Sequence, residues 1–524
     1  MKCSRLVLLL SVLAAPALAT PPSVAPKATT PARVLSVRLS GEPETLDWNR
    51  AHTSVDTYVV MNLMEGLLTF DENFRVAPSL AERMEVSPDG KTYTFFIRKG
   101  LKWSDGVALT AKDFEYSWKR LLTPATAAPY AYILYDVDGA EEFNKGIHND
   151  FSLVGIKAVG DLVFQVRLKR PVAHWVYIPT FWVTFPLRQD IAEKNVDGWA
   201  KPGRMVTCGA FTLASHDIGS KIVLKANPYY YGKHGNVDEV DLQMILDDAT
   251  ALNLYDSGQL DVLTQISTLD MNRLAKNPEL KRFPYLKTQY LSFTVNHYPV
   301  TSPHLRRAIA MAIDKSKIPS ILFGGQVPAT TFVPPQMMGY RAQFGLAFDP
   351  ENARKEFKAA GWDPTRKLKL ELLTHNSDKS TVLSQFIQGE LKKTLGIETE
   401  IQAFDHATFR SQLDLKNYPL AMQTWGADYP DPDNFLSVYL SDSGNNRTVW
   451  KSPKFDQLVL GARTEKDQGK RTVAYLEAQK ILIEDEAVII PLFYDNNTAL
   501  VKNRVRGLVL DPLNYMYLRG VTLP

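Results

Sequence analysis

The sequence predicts an α/β protein with mixed sheets, and three observations predict it. Several short runs alternate apolar and polar residues with a period of two, as half-buried strands do. Other runs space their apolar residues three and four apart, as helices with one buried face do. The two kinds of run then alternate over most of the chain, which is the pattern of layered α/β architecture. No fixed-period repeat interrupts them.

Residues 20–33, TPPSVAPKATTPAR, are rich in proline, threonine and alanine and read as a disordered or extended lead-in. Folding is expected to start at VLSVRL, where Val34, Leu35, Val37 and Leu39 suit a strand. In TSVDTYVVMNLMEGLLTFD, Val55, Tyr58, Val59, Leu63 and Leu67 lie close to one helical face. Pro88-Asp89-Gly90 reads as a hairpin turn, because proline presets φ and glycine accepts a positive φ. The strand after it alternates Tyr93, Phe95 and Ile97 with Thr94, Phe96 and Arg98. Thr110 is a helix N-cap with Asp113 in the capping-box position, and Phe114, Trp118 and Leu121 line one side of the helix behind it. KIVLKANPYYYG and VDEVDLQMI read as strands, and ATALNLYDSGQLDVLT as a helix ending near Gly258 followed by a strand. HLRRAIAMAIDKSKIPSILFGG reads as one amphipathic helix stopped by Gly324-Gly325. PENARKEFKAAGW is a helix ended by Gly361, KLKLELLTH a strand, STVLSQFIQGELKKTLG a helix and IETEIQAF a strand.

A chain of 524 residues has room for two or three cores, since single cores stop growing at roughly 250–300 residues. The net charge of +3 carries no basic excess that would point to nucleic acid or an anionic membrane. MKCSRLVLLLSVLAAPALAT has Lys2 and Arg5, an apolar run from Leu6 to Ala15, and Ala17-Leu18-Ala19 as a small-residue cleavage site. That is a signal peptide of residues 1–19, its apolar run too short for the roughly 20 residues that span a bilayer. Cleavage after Ala19 removes two positive charges, 3 − 2 = +1. No later stretch reaches spanning length without charges, so the expected product is soluble and exported. Cys3 lies before the apolar run, not where a lipid-acceptor cysteine would sit, so no lipid anchor is expected. Only Cys208 then remains, which leaves no intrachain disulfide. Without CxxC or HExxH the sequence calls for no metal site, and nothing in it calls for a cofactor.

The stretch TWGADYPDPD poses the functional question. Apolar residues lead up to it, and Asp428, Asp431 and Asp433 then follow among prolines. From the residues alone, Asp428 is either a solvated turn residue or a carboxylate held at a dry wall to meet a cation. Asp431 and Asp433 read as turn and cap residues.

The run from Glu65 to Trp118, with EGLL, YTFFIRKGLKWSDG and TAKDFEYSW, resembles the signature region of family 5 extracellular solute-binding proteins. It is most similar to the oligopeptide-binding proteins of ATP-driven importers. ATAAPYAYIL, TCGAFTL, NPYYYG, LRRAIAMAID, WGADYPDPDNFL, SDSGNNRTVWKSPKFDQLV and PLFY continue the likeness in order over nearly all of the mature chain. The resemblance implies the large periplasmic-binding-protein fold (type II, cluster C), with two lobes of mixed sheets plus an additional domain. One lobe would be discontinuous, residues 34–64, 189–286 and 505–524; the additional domain would be 65–188 and the second lobe 287–504. Ligand would lie between the lobes, which close over it by hinge motion.

In the family, a bound peptide is extended and is held mostly through its backbone, as an added β-strand, which makes binding tolerant of side chains. Its α-ammonium pairs with the aspartate at the position of Asp428. The resemblance further implies that His52, Thr53 and Ser54 run beside the ligand and that Trp425 and Gly426 pair with it from the other lobe. Tyr130 corresponds to a tyrosine whose hydroxyl reaches the ligand backbone, and Gln265 to an asparagine at the cleft. His406 stands where a pocket tryptophan can occur, and Tyr494 near a cleft tyrosine. The expected partners are an oligopeptide and the cognate ABC permease and ATPase of the inner membrane, with the protein a periplasmic monomer that binds no nucleic acid.

The departures are informative. Two cysteines of the best-known oligopeptide binders are replaced together, by Gly426 and Lys287. An arginine that can meet the peptide carboxylate is matched by Met422 and a histidine of similar purpose by Ser380, so the ligand's C-terminus must be handled differently here. Two alternatives stand beside peptide binding: another family 5 solute (a murein peptide, opine, metal or nickel chelate, or sugar), and an exported hydrolase using the clustered carboxylates. The hydrolase lacks a nucleophile motif.

Overall fold

Two long antiparallel strands, Leu280–Phe293 and Ile489–Val501, organise the computed structural model, which describes residues 32–524 apart from 197, 364 and 365. The expected signal peptide, residues 1–19, and the expected lead-in up to residue 31 lie outside the described residues. Around these strands an eleven-stranded mixed sheet forms. Its order runs Glu398–Phe404, Lys369–His375, Leu420–Gly426, Leu280–Phe293, Ile489–Val501, Val262–Thr264, Val34–Leu39, Glu239–Met244, Lys221–Ala226, Phe211–Asp217, with Val327–Pro328 attached to Ile489–Val501. Parallel pairs such as Val34–Leu39 with Glu239–Met244 need crossovers, and antiparallel pairs such as Lys221–Ala226 with Glu239–Met244 do not. The ladder between the two long strands is irregular between Pro284 and Thr288 and again between Gln289 and Tyr290. Proline at 284 offers no amide to that ladder.

A separate four-stranded antiparallel sheet, in the order Ala81–Val86, Thr92–Ile97, Val163–Arg167, Ile156–Ala158, lies within residues 81–167. Its hairpin turns at Pro88-Asp89-Gly90, and Gly90 takes φ +76°, a conformation that favours glycine. Tyr93, Phe95 and Ile97 point inward as their alternation requires. The helix Ala111–Leu122 packs Phe114, Trp118 and Leu121 over that face, with Trp118 edge-on to Phe164 at 5.1 Å. The Asp113 carboxylate accepts the Thr110 amide at 2.8 Å, as the capping pattern requires. A second apolar core surrounds Leu291, Ile309, Leu372, Ile387 and Leu391 beneath the other end of the main sheet.

One expected helix is broken. Pro303–Ala312 ends before Asp314, whose side chain accepts the Ser316 amide, and a new short helix, Ile318–Leu322, begins with Pro319 in its first turn. A proline cannot donate to a continuing helix but suits a helix start, so apolar spacing alone overstated the length. Cys208 is a buried free thiol. Among the described residues no helix is long and apolar enough to cross a membrane.

Candidate functional site

Asp428 stands one residue beyond Ala427, whose amide donates to Leu286 O at 2.8 Å and extends the pairing of Leu420–Gly426 with Leu280–Phe293. The Pro-rich segment after it is not a solvated loop. Pro432 opens the short helix Pro432–Leu436, capped by Asp431, and that helix turns Asn434 back toward the strand. Asn434 grips the aspartate from two sides: its Oδ1 accepts the Asp428 amide at 3.1 Å, and its Nδ2 donates to Asp428 Oδ2 at 3.3 Å. The same Oδ1 accepts Trp425 Nε1 at 3.1 Å, so strand, aspartate and helix are fixed together.

The three aspartates separate by partner. Asp431 is 2% exposed and ion-paired to Arg471 at 2.8 Å; Asp433 is 0% exposed and ion-paired to Arg463 at 2.6 Å. Although burial opposes it, His174 and Arg463 hold the Asp433 carboxyl below its ordinary value. Asp428 is half-buried and forms no ion pair among the described residues. Burial pushes its carboxyl up to about 6, against the opposing hydrogen bonds of Asn434 and Tyr130. It is a charge taken partly out of water, with no counter-ion among the described residues.

It lines the first of three cavities that share walls. The first, about 150 Å³, is lined by His52, Thr53, Ser54, Tyr130, Gly426 and Asp428, with Trp182, Tyr285, Asn514 and Tyr515 among its other walls. The second, about 400 Å³, shares Ser54, Tyr285 and Asn514 with the first and also meets Gln265. The third, about 370 Å³, shares Lys287, Ser377 and Lys379 with the second and runs along Met422–Trp425 to His406. The second and third are within the usual size of ligand sites.

The third cavity follows an open strand edge. On one side Leu420–Gly426 pairs with Leu280–Phe293 over its whole length; on the other, the parallel strand Lys369–His375 pairs with it only at Leu420 and Ala421. With Ala427 bonded to Leu286, the alternation of an antiparallel ladder turns the amides and carbonyls of Met422, Thr424 and Gly426 away from the neighbour. An unpaired strand edge of this kind accepts another extended chain. Lys287 and Gly426 are cross-strand partners, so the two positions that the resemblance matches to cysteines fall opposite each other.

Individual residues differ from expectation in instructive ways. Tyr130 packs edge-on against Phe181 and Trp182 at 5.2 and 5.4 Å, which aims its hydroxyl at Asp428. Gln265 ends the strand Val262–Thr264 with φ +57°, its carbonyl held by Arg38 at 2.9 Å, leaving its side chain exposed. Thr53 lines the first cavity, but its amide donates to Asp56 at 3.0 Å and its carbonyl accepts Thr57 N at 3.1 Å. Its main chain is therefore committed to capping the helix Ser54–Leu63. The expectation for Tyr494 gains no support: it is 3% exposed, lines none of the three cavities, and its hydroxyl is spent on the Thr330 and Thr331 amides at 3.2 and 2.9 Å. Tyr285 and Asn434 were not anticipated. Asn434 lies inside the quoted WGADYPDPDNFL string, where a side-chain amide after a capped proline was the available signal.

Residues 75–447 match the family described as bacterial extracellular solute-binding proteins, family 5 middle. The chain is 31% identical over 500 residues to the probable deoxycholate-binding periplasmic protein YgiS of Escherichia coli, covering 93% of each. It is 30% identical over 502 residues to the oligopeptide-binding protein OppA of Bacillus subtilis, covering 93% of this chain and 92% of that one. The structure of the Escherichia coli murein tripeptide binding protein MppA superposes with a TM-score of 0.80 at 26% identity, over 94% of this chain and 99% of that one.

Proposed function

The chain belongs to the bacterial extracellular solute-binding proteins of family 5, and on that premise we propose that it captures oligopeptides for an ABC importer in the periplasm. The observation that carries this reading is Asp428, a half-buried carboxylate with no cation among the described residues, beside an open strand edge and lining the first of three cavities that share walls. A peptide's α-ammonium supplies the missing charge through hydrogen bonds of about 2.7–2.9 Å, and its backbone pairs with Met422, Thr424 and Gly426. Main-chain pairing is indifferent to side chains, so one protein takes many sequences. The lobes are residues 34–64 with 189–286 and 505–524, and 287–504; residues 65–188 form the additional domain. The protein acts as a monomer, binds without turnover, and delivers its cargo to a permease and ATPase.

The test is a thermal melt with free-amine peptides, which should raise the melting temperature because they bind only the native state. N-acetylated peptides should give little shift, and Asp428→Ala should abolish most of it, since losing one partner of a buried pair costs roughly 3–5 kcal/mol. An undiminished shift in the variant would remove the site from Asp428. A second reading draws on the relative named for deoxycholate, a carboxylate with no amine. Such a solute leaves Asp428 unpaired, and a melt shifted by bile acids but not by peptides would favour it.

A further inference from the structure

The support behind Asp428 is completed from a distant segment. Tyr429, the next residue, donates its hydroxyl to Asp433 Oδ2 at 3.0 Å. Asp433 sits in the short helix Pro432–Leu436 beside Asn434, the residue that grips Asp428. Asp433 Oδ1 in turn accepts Arg463 Nε at 2.6 Å. All of these contacts lie within residues 428–463. One more comes from far outside that range. His174 stacks on Tyr429, with 4.8 Å between ring centroids and 12° between planes, and sets its Nδ1 3.7 Å from Asp433 Oδ2.

His174 is firmly anchored. It belongs to the segment Ala173–Thr180, whose Trp175 is wholly buried against Tyr93 at 4.4 Å and Phe95 at 6.3 Å in the core of the four-stranded sheet. The imidazole itself is buried, and its Nδ1 makes no hydrogen bond among the described residues. Its Nε2 lies 4.0 Å from Asp136 Oδ2, and Asp136 has a cation of its own in Arg170 at 3.5 Å. Packing alone would be served by a phenylalanine here, and a buried polar nitrogen without a hydrogen bond carries a cost. What the nitrogen gains is attraction to Asp433, strengthened because both groups are out of water. Although burial opposes it, His174 and then Arg463 hold the Asp433 carboxyl below its ordinary value.

We propose that His174 is a positioning residue for the ligand's amine: its Nδ1 edge holds Asp433, and with it the short helix whose Asn434 presents Asp428. The four-stranded sheet, which carries no part of the strand edge that meets the guest, thereby helps to set where the guest's ammonium binds. This rests on the reading of Asp428 as the ammonium site. A binding group keeps its geometry only when the residues behind it are themselves locked by packing and polar contacts, and His174 has both.

The experiment is titration calorimetry at pH 7.5 on protein stripped of cargo by unfolding and refolding, with trialanine and N-acetyl-trialanine as probes. His174→Phe keeps a flat ring on Tyr429 and fills the space, so it should fold, but it offers Asp433 no nitrogen. It should weaken trialanine about 2–10-fold, the worth of one polar contact, and leave N-acetyl-trialanine within about twofold. His174→Asn, whose amide nitrogen comes close to the place of Nδ1, should restore most of that loss although it gives up the stack. In an Asp428→Ala background His174→Phe should change neither probe, because the residue acts through that carboxylate. Equal losses for both probes, or an undiminished loss in the Asp428→Ala background, would make His174 a residue of the fold and overturn the proposal. A loss as large in His174→Asn as in His174→Phe assigns the effect to the ring and overturns the role of the nitrogen. A preference for the free amine that survives His174→Phe overturns this proposal alone. Wild-type protein that binds N-acetyl-trialanine as tightly as trialanine overturns the Asp428 reading, and this proposal with it.

Discussion

A carboxylate that loses water without gaining a cation is drawn toward its protonated form, and the consequences at Asp428 have a definite sign. Its pKa rises from 3.8 to about 6 on folding, so between those values the native state holds a proton that the unfolded chain does not. The stabilisation present at low pH is lost as pH rises through about 6, and the ionised residue burdens the unliganded protein at neutral pH. Asp428→Asn is therefore expected to leave the melting temperature of the unliganded protein at pH 7.5 unchanged or higher, while the shift induced by free-amine peptides disappears. Scanning calorimetry reads both; a clear loss of stability without ligand would mean that the carboxylate serves the fold. Binding an ammonium requires the ionised form, so affinity should be level above pH 6.5 and fall about tenfold per pH unit below 6. The groups facing Asp428 are the Tyr130, Tyr132, Tyr285 and Tyr515 phenols, all raised mainly by burial, with His52 in the same cavity. A wild-type profile flat from pH 7 to 5 contradicts this.

At the scale of single elements, the first helix and the open strand make separate predictions. Asp56 is fully buried and accepts the amides of Glu44, Thr45, His52 and Thr53 at 2.8, 3.4, 3.0 and 3.0 Å. It ties the segment before the helix Ser54–Leu63 to the helix's first turn, and with it one wall of the first cavity. Asp56→Ala strands those donors, so it should cost about 3 kcal/mol or more, read as a lowered urea midpoint with unchanged m-value. The Leu420–Gly426 strand can be tested without disturbing its ladder. Thr424 directs its amide to the open side, and proline is tolerated on such an edge. Thr424→Pro should keep the melting temperature within a few degrees and weaken every peptide by about 2–10-fold regardless of sequence, the worth of one hydrogen bond. Losses confined to particular peptides would point to side-chain recognition in place of main-chain pairing.

For the whole molecule, Leu280–Phe293 and Ile489–Val501 are the strands through which the two ends of the main sheet connect, and their pairing slips near Pro284–Thr288. We expect closure to bend there, so that a saturating free-amine peptide lowers the radius of gyration in small-angle scattering. Superimposable curves with and without ligand would mean that the cleft is already closed or does not close. Much of this architecture was legible in the sequence. The strand alternation at Tyr93–Ile97, the capping residues at Thr110 and Asp113, and the helix ends at Gly361 and Gly396 depend on neighbours a few residues apart. The broken helix at Asp314–Pro319 was legible too, in its proline, but apolar spacing masked it.

What the sequence determined by itself was the alternation of elements and the family likeness, because these rest on local pattern and on the order of motifs; it singled out Asp428 only through that likeness. It did not distinguish Asp428 from Asp431 and Asp433 by chemistry, since all three share one Pro-rich turn. Tertiary structure decided that: Arg463 and Arg471 arrive from later helices to neutralise two of them, and among the described residues none arrives for the third. The contact between His174 and Asp433 was likewise invisible along the chain, because the two come from distant segments. Electrostatic potential depends on distance through space, and only folding sets which charges lie close enough to cancel and which remain to meet a guest.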